Sequence, residues 1–92
     1  MAELVFVKEG SKYVCEIKVT SDFNLHIERS ENGFLYVQQK TTYDGEYDSI
    51  SGANFAPHDR VVDVDFVASI YPKYIKIVSE VQPVMAVVTF AQ

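Results

Sequence analysis

One segment decides the fold of this chain: Val84-Met85-Ala86-Val87-Val88-Thr89-Phe90-Ala91. Successive side chains of a β-strand point to opposite faces, and in this segment both faces are largely apolar. A strand with two apolar faces needs cover on both sides. We expect the core of the domain to cover the face that carries Val84, Ala86, Val88 and Phe90.

The other face of this segment predicts contact with a second copy of the chain. A chain of 92 residues is small, so it can hardly build a further layer of its own on that side. The hydrophobic fraction, 48%, exceeds what a small sandwich must hide and favours an oligomer. The predicted self-association face consists of Met85, Val87, Thr89, Tyr74 and Val78, with Val14 and Leu35 as further candidates.

The other segments that indicate strands alternate between apolar and polar residues. Examples are residues 12–20, 23–29 and 60–67, and turn residues such as Asn32-Gly33 separate such runs every 8–12 residues. This pattern predicts a single all-β domain over residues 1–92, an antiparallel β-sandwich of seven or eight short strands, jelly-roll-like or Ig-like. A small β-barrel is the alternative. Residues 40–59 show no sustained period and are predicted to form a long loop, with room for a short edge strand near 50–55.

Composition excludes several classes of function. The net charge is −5, with 8 basic and 13 acidic residues, and the basic residues are scattered, so we expect no nucleic-acid binding. No export signal is visible and no apolar run approaches about 18 residues, which predicts synthesis in the cytoplasm and no membrane insertion. The single cysteine, Cys15, cannot form an internal disulfide and is predicted to be buried.

The predicted long loop contains the densest group of polar and aromatic residues. Asp44, Glu46 and Asp48 alternate as calcium ligands do, although the EF-hand template fails at Ser49 and Phe55. Aromatic rings beside carboxylates and amides also suit a sugar, since the ring stacks while the hydroxyls bond to the polar groups. The candidate ligand loop comprises Tyr43, Asp44, Glu46, Tyr47, Asp48, Asn54, Phe55 and His58.

The sequence offers no convincing catalytic group, and we expect neither an enzyme nor a cofactor or metal site. Asp63 and Asp65 lie on one strand face about 7 Å apart, a spacing that some glycosidases use but that solvated strands also show. Cys15 and His26 are predicted on opposite sides of a hairpin, so they cannot act as a pair.

These observations predict a non-catalytic structural or assembly module that self-associates through apolar strand faces. Small, all-β, self-associating proteins made in the cytoplasm include virion accessory proteins of bacteriophages, which suggests incorporation into a virion or a similar assembly. The alternative is a carbohydrate- or calcium-binding β-sandwich that uses residues 43–59.

Overall fold

The computed structural model describes residues 2–67, 70 and 72–91, and within them the chain is all-β. No helix in this described part is long and apolar enough to cross a membrane. The strands are β1 (Ala2–Glu3), β2 (Val7–Glu9), β3 (Lys12–Val19), β4 (Phe23–Glu28), β5 (Leu35–Lys40), β6 (Asp48–Phe55), β7 (Val61–Phe66), β8 (Lys73–Ser79) and β9 (Met85–Phe90).

The strands form two antiparallel sheets that pack as a sandwich. The four-stranded sheet has the order β1-β9-β4-β7, and the five-stranded sheet has the order β2-β3-β8-β5-β6. If β1 and β2 are counted as one strand that crosses from the first sheet to the second, the connectivity is that of a jelly roll. The predicted sandwich is therefore confirmed. The barrel alternative is wrong, because the two sheets remain separate and each keeps its edge strands.

Alternate residues from both sheets fill the space between them. From the four-stranded sheet, β4 contributes Leu25 and Ile27, and from the five-stranded sheet, β8 contributes Ile75 and Ile77, all at most 1% exposed. The inward faces predicted for β3, β4 and β7 are the faces that meet the core. At one end of the core, the rings of Phe23 and Phe66 stack with centroids 4.9 Å apart. Cys15 is buried and free, as predicted.

The segment that decides the fold is a strand between β1 and β4, but only its middle is buried on the inner side. Ala86 and Val88 are 7% and 2% exposed, as expected for core residues. Val84 and Phe90 were predicted to join them, and that prediction is wrong because they are 67% and 36% exposed. Val84 precedes the first paired residue and Phe90 is the last residue of the strand, so both lie where the opposite sheet gives less cover.

The predicted long loop at 40–59 contains an edge strand near the place where the sequence left room for one, although this strand is longer than predicted. Strand β6 spans Asp48–Phe55 and pairs with β5 at both of its ends. Between these pairs the register shifts, so that residues 50–53 of β6 stand opposite Val37 alone, and Gly52 adopts a φ of +80°. This bulge explains why the sequence shows no period of two there. The bulge also disrupts the hydrogen-bonding pattern at the outer edge of the sheet, which hinders pairing with strands of other molecules.

A buried arginine ties the loops at one end of the sandwich together. Arg29 is 3% exposed, and its guanidinium donates to the carbonyl oxygens of Gly33, of Phe34 at 3.2 Å and of Asp59 at 2.6 Å. Burial lowers the pKa of this guanidinium from its ordinary value. The side chain thus holds the β4–β5 connection against the turn that follows β6.

We expect Arg29→Ala to lower the free energy of unfolding by about 3 kcal/mol, because one buried and two partly buried carbonyl oxygens lose this donor. Urea denaturation followed by circular dichroism measures this change. Arg60→Ala is the matched control, since Arg60 is exposed and its Nε atom donates to the side-chain oxygen of Asn32 at 2.8 Å. Equal stability of the two variants would contradict the role given to Arg29.

Candidate functional site

The outer face of the four-stranded sheet carries carboxylates and exposed apolar side chains. Its cross-strand rows follow from the register of β1, β9, β4 and β7. These rows contain four acidic residues and neither lysine nor arginine. We call this surface the acidic face, and it consists of Glu3, Asn24, His26, Glu28, Val61, Asp63, Asp65, Met85, Val87 and Thr89.

A histidine held between two carboxylates lies at the centre of the acidic face. The Nδ1 atom of His26 is 2.9 Å from a carboxylate oxygen of Asp63, and its Nε2 atom is 2.7 Å from one of Glu28. A neutral imidazole can donate through only one nitrogen, so this arrangement favours the protonated ring. The hydrogen bonds to Glu28 and then to Asp63 raise the pKa of His26 above its ordinary value of 6.5.

The two aspartates of β7 share one amide donor. The side-chain nitrogen of Asn24 donates to Asp63 at 2.6 Å and to Asp65 at 3.0 Å. The bond from Asn24, followed by that from His26, lowers the pKa of Asp63 from its ordinary value. The pair that resembled glycosidase carboxylates by spacing is therefore part of a network that keeps Asp63 charged.

The apolar part of the acidic face remains open to solvent. Met85 is 47% exposed and lies in one row with Glu28 and Val61, which is 62% exposed. Val87 lies between Glu3 and His26 and is half-buried. This is the surface that the sequence indicated as the second apolar side of the last strand, and no part of the described chain covers it fully.

The outer face of the five-stranded sheet has the opposite charge. Its rows contain four lysines and two glutamates, and an apolar row of Val7, Val14, Val78 and Tyr36 runs through them. We call this surface the lysine–tyrosine face, and it consists of Val7, Glu9, Lys12, Val14, Glu16, Lys18, Tyr36, Gln38, Lys40, Tyr74, Lys76 and Val78.

Tyrosines gather around Lys40 at one end of this face. The Nζ atom of Lys40 is 4.5 Å from the ring centroid of Tyr47 and 5.6 Å from that of Tyr74. The rings of Tyr43 and Tyr74 meet edge to face at 6.0 Å, and Lys40 also donates to the carbonyl oxygen of Tyr43 at 2.8 Å. Burial, and then the charge of Glu16, raise the pKa of Tyr47. Lysine and aromatic rings together form a positively charged, partly apolar surface.

The predicted self-association residues divide between the two outer faces, which lie on opposite sides of the sandwich. Met85, Val87 and Thr89 belong to the acidic face, whereas Tyr74 and Val78 belong to the lysine–tyrosine face. The prediction that these five residues form one continuous face is therefore wrong. Val78 and Val14 are only 2% and 6% exposed, so neighbouring side chains of the same chain already cover them. The further candidate Leu35 is 1% exposed and lies in the core.

The candidate ligand loop is likewise dispersed. Tyr43 and Tyr47 both lie beside Lys40, while Phe55 packs against the core and Asn54 is exposed on β6. His58 is exposed in the turn after β6, with its Nε2 atom 3.8 Å from Asp59. The acidic members Asp44, Glu46 and Asp48 are exposed, and no group of three or more metal-ligating side chains occurs among residues 2–67, 70 and 72–91.

Sequence reasoning missed Asn24, Glu28 and Lys40 as parts of these surfaces. Asn24 and Glu28 alternate with the apolar residues of β4, which placed them on its polar side. Only the pairing of β4 with β7 brings Asn24 to the aspartates, whereas Glu28 contacts His26 of its own strand. The predicted hairpin that carries Cys15 and His26 is wrong, because β3 and β4 lie in different sheets. Cys15 is in the core, where burial raises the pKa of its thiol, and His26 lies on the acidic face.

No protein-family model, curated protein or solved structure matches this chain. The two outer faces are therefore interpreted from their own geometry and charge.

We expect the pKa of His26, measured by NMR titration, to lie above 6.5 and to fall in Asp63→Asn, which removes one of the two charges beside the ring. Asp65→Asn is the control, because Asp65 bonds to Asn24 and the fall should be smaller. Since folding raises this pKa, the stabilisation is present below the ordinary pKa and is lost as the pH rises through the raised value. A His26 pKa at its ordinary value in the wild type would contradict this network.

Proposed function

We propose that this chain is a non-catalytic structural module that self-associates through the acidic face. The exposure of apolar side chains on an internal strand carries this proposal. Met85, the first residue of the strand between β1 and β4, is 47% exposed on the outer side of its sheet, and Val87 on the same side is half-buried. Exposed apolar groups rimmed by polar residues are typical of protein–protein interfaces.

Further apolar residues extend this patch at the same end of the sheet. Val84, next to Met85, alternates with the inner residues Ala86 and Val88 but lies before the first paired residue of β9, where it is 67% exposed. Val5 is 79% exposed and follows Leu4, whose backbone nitrogen donates to the carbonyl oxygen of Ala86 at 2.9 Å. Together with Val61 these side chains border the carboxylates, so the face combines an apolar area with charges that can orient a partner.

The polar groups of the acidic face support a binding role more than a catalytic one. Both ring nitrogens of His26 are engaged by Glu28 and Asp63, and Asp63 and Asp65 both accept from Asn24. These mutual bonds fix the side chains in place, which reduces the entropy lost when a partner binds. Incorporation into a larger assembly, such as a virion, fits a small module of this kind, and we include it in the proposal.

We expect the wild-type chain to sediment with a mass of at least two copies and Val87→Asp to sediment as a folded single copy. The substitution places a charge in the centre of an interface that would desolvate it. Analytical ultracentrifugation measures the mass and circular dichroism confirms folding. Ile70→Asp is the matched control, since Ile70 is 63% exposed and lies in the connection between β7 and β8. A wild type that remains a single copy at high concentration would overturn the proposal.

A second candidate function is carbohydrate binding at the tyrosine cluster. The grouping of Tyr43, Tyr47 and Tyr74 around Lys40 favours it, because Tyr43 is 80% exposed and presents a ring on which a sugar can stack. The carboxylates of the adjacent turn, Asp44 among them, can accept bonds from sugar hydroxyls.

A glycan array tests this second candidate. We expect any glycan bound by the wild type to be lost in Tyr43→Ala and in Tyr47→Ala and to be retained in Tyr36→Ala, whose ring stacks on Phe34 away from Lys40. A bound glycan that is unaffected by both cluster variants would place the sugar elsewhere.

A further inference from the structure

We propose that self-association is head-to-tail: the acidic face of one copy docks on the lysine–tyrosine face of the next. This inference rests on the proposed function, because it names the partner surface for the acidic face. The two faces lie on opposite sides of the sandwich, so every copy offers both halves of the same interface.

Charge complementarity is the first argument. The acidic face carries four carboxylates, from Glu3, Glu28, Asp63 and Asp65, and the single imidazole of His26. The rows of the lysine–tyrosine face carry the four lysines Lys12, Lys18, Lys40 and Lys76 against two glutamates. Opposite potentials on two surfaces favour their approach and fix their register.

Repulsion argues against the symmetric alternative. In a two-fold interface a surface meets its own copy, so the acidic face would bring eight carboxylates together around two histidines. Like charges placed across an interface cost several kcal/mol. If the lysine–tyrosine face paired with its own copy, its lysines would repel one another in the same way. A head-to-tail contact avoids both of these repulsions.

The apolar parts of the two faces also match in kind. Met85 and Val61 are exposed on the acidic face, and Val7, 60% exposed, together with the rings of Tyr36 and Tyr74 supplies apolar area on the other. Phe34 extends that area, with its ring stacked on Tyr36 at 5.8 Å and beneath the Nζ atom of Lys12. Aromatic residues beside lysines suit an interface that is apolar in its centre and charged at its rim.

A sheet face is large enough for a stable contact. The two longest dimensions of the molecule are 34 and 27 Å. They enclose a rectangle of about 900 Å², which compares with about 800 Å² per partner in interfaces of standard size. Because the two faces are back to back, repetition of the contact produces a stack of copies, open or closed into a ring.

Mixing two variants tests this arrangement. Val87→Asp disables the acidic face, and Lys18→Glu disables the lysine–tyrosine face by adding a negative charge where the partner is negative. We expect each variant alone to sediment as a single copy. Their equimolar mixture should double in mass and stop at two copies, since only one pair of intact faces remains.

Raising the salt concentration from 0.05 to 0.5 M should dissociate the wild-type assembly.

Lys8→Glu is the matched control, because it makes the same charge change at an exposed residue whose cross-strand partner, Tyr13, packs against the core. Met85→Asp replaces Val87→Asp if that variant does not fold. A wild type that assembles while Lys18→Glu assembles equally well, or while the mixture stays at single copies, would overturn the head-to-tail contact and leave self-association standing. A wild type that remains a single copy under all conditions tested would overturn both the head-to-tail contact and self-association.

Discussion

The packing of two sheets through alternate residues is the constraint on which the rest of this structure depends. Each strand places every second side chain in one shared core, so its remaining side chains must face outward. For β9 the inner residues Ala86 and Val88 complete the core, and no further layer of the described chain covers the outer residues Met85 and Val87. The exposed apolar surface is thus a direct consequence of an internal strand that is apolar on both sides.

The same alternation separates the charges of the chain onto two surfaces. On β7, Asp63 and Asp65 alternate with Val62 and Val64, so burial of the valines brings both aspartates to one outer face. On β8, Lys76 lies between Ile75 and Ile77 and is brought to the other outer face in the same way. A chain of net charge −5 therefore presents a surface whose rows are rich in lysine, although no basic cluster is visible along its sequence. Pairing between distant strands creates the cluster.

Much of the sandwich could be predicted from residue patterns, and the failures have identifiable causes. The inward faces of β3, β4 and β7 follow from strict alternation. Strand β6 was predicted only in part, near residues 50–55, because its bulge interrupts the period of two. Val84 and Phe90 share the period of the core residues but lie at the ends of the strand, where a pattern carries no information about cover. Arg29 was missed because a cation is expected at the surface. The grouping of Tyr74 with Met85 failed since a sequence does not state which of two sheets a strand joins.

The most direct test of the account is zero-length carbodiimide coupling of carboxylates to lysines in an equal mixture of ¹⁴N- and ¹⁵N-labelled chains, followed by mass spectrometry of the linked peptides. Only links between chains give mixed-isotope pairs. The account predicts mixed pairs that join carboxylates of the acidic face, such as Asp65 or Glu28, to lysines of the opposite face, such as Lys18 or Lys76. Mixed pairs that join other surfaces, or links found only within single chains, would contradict it.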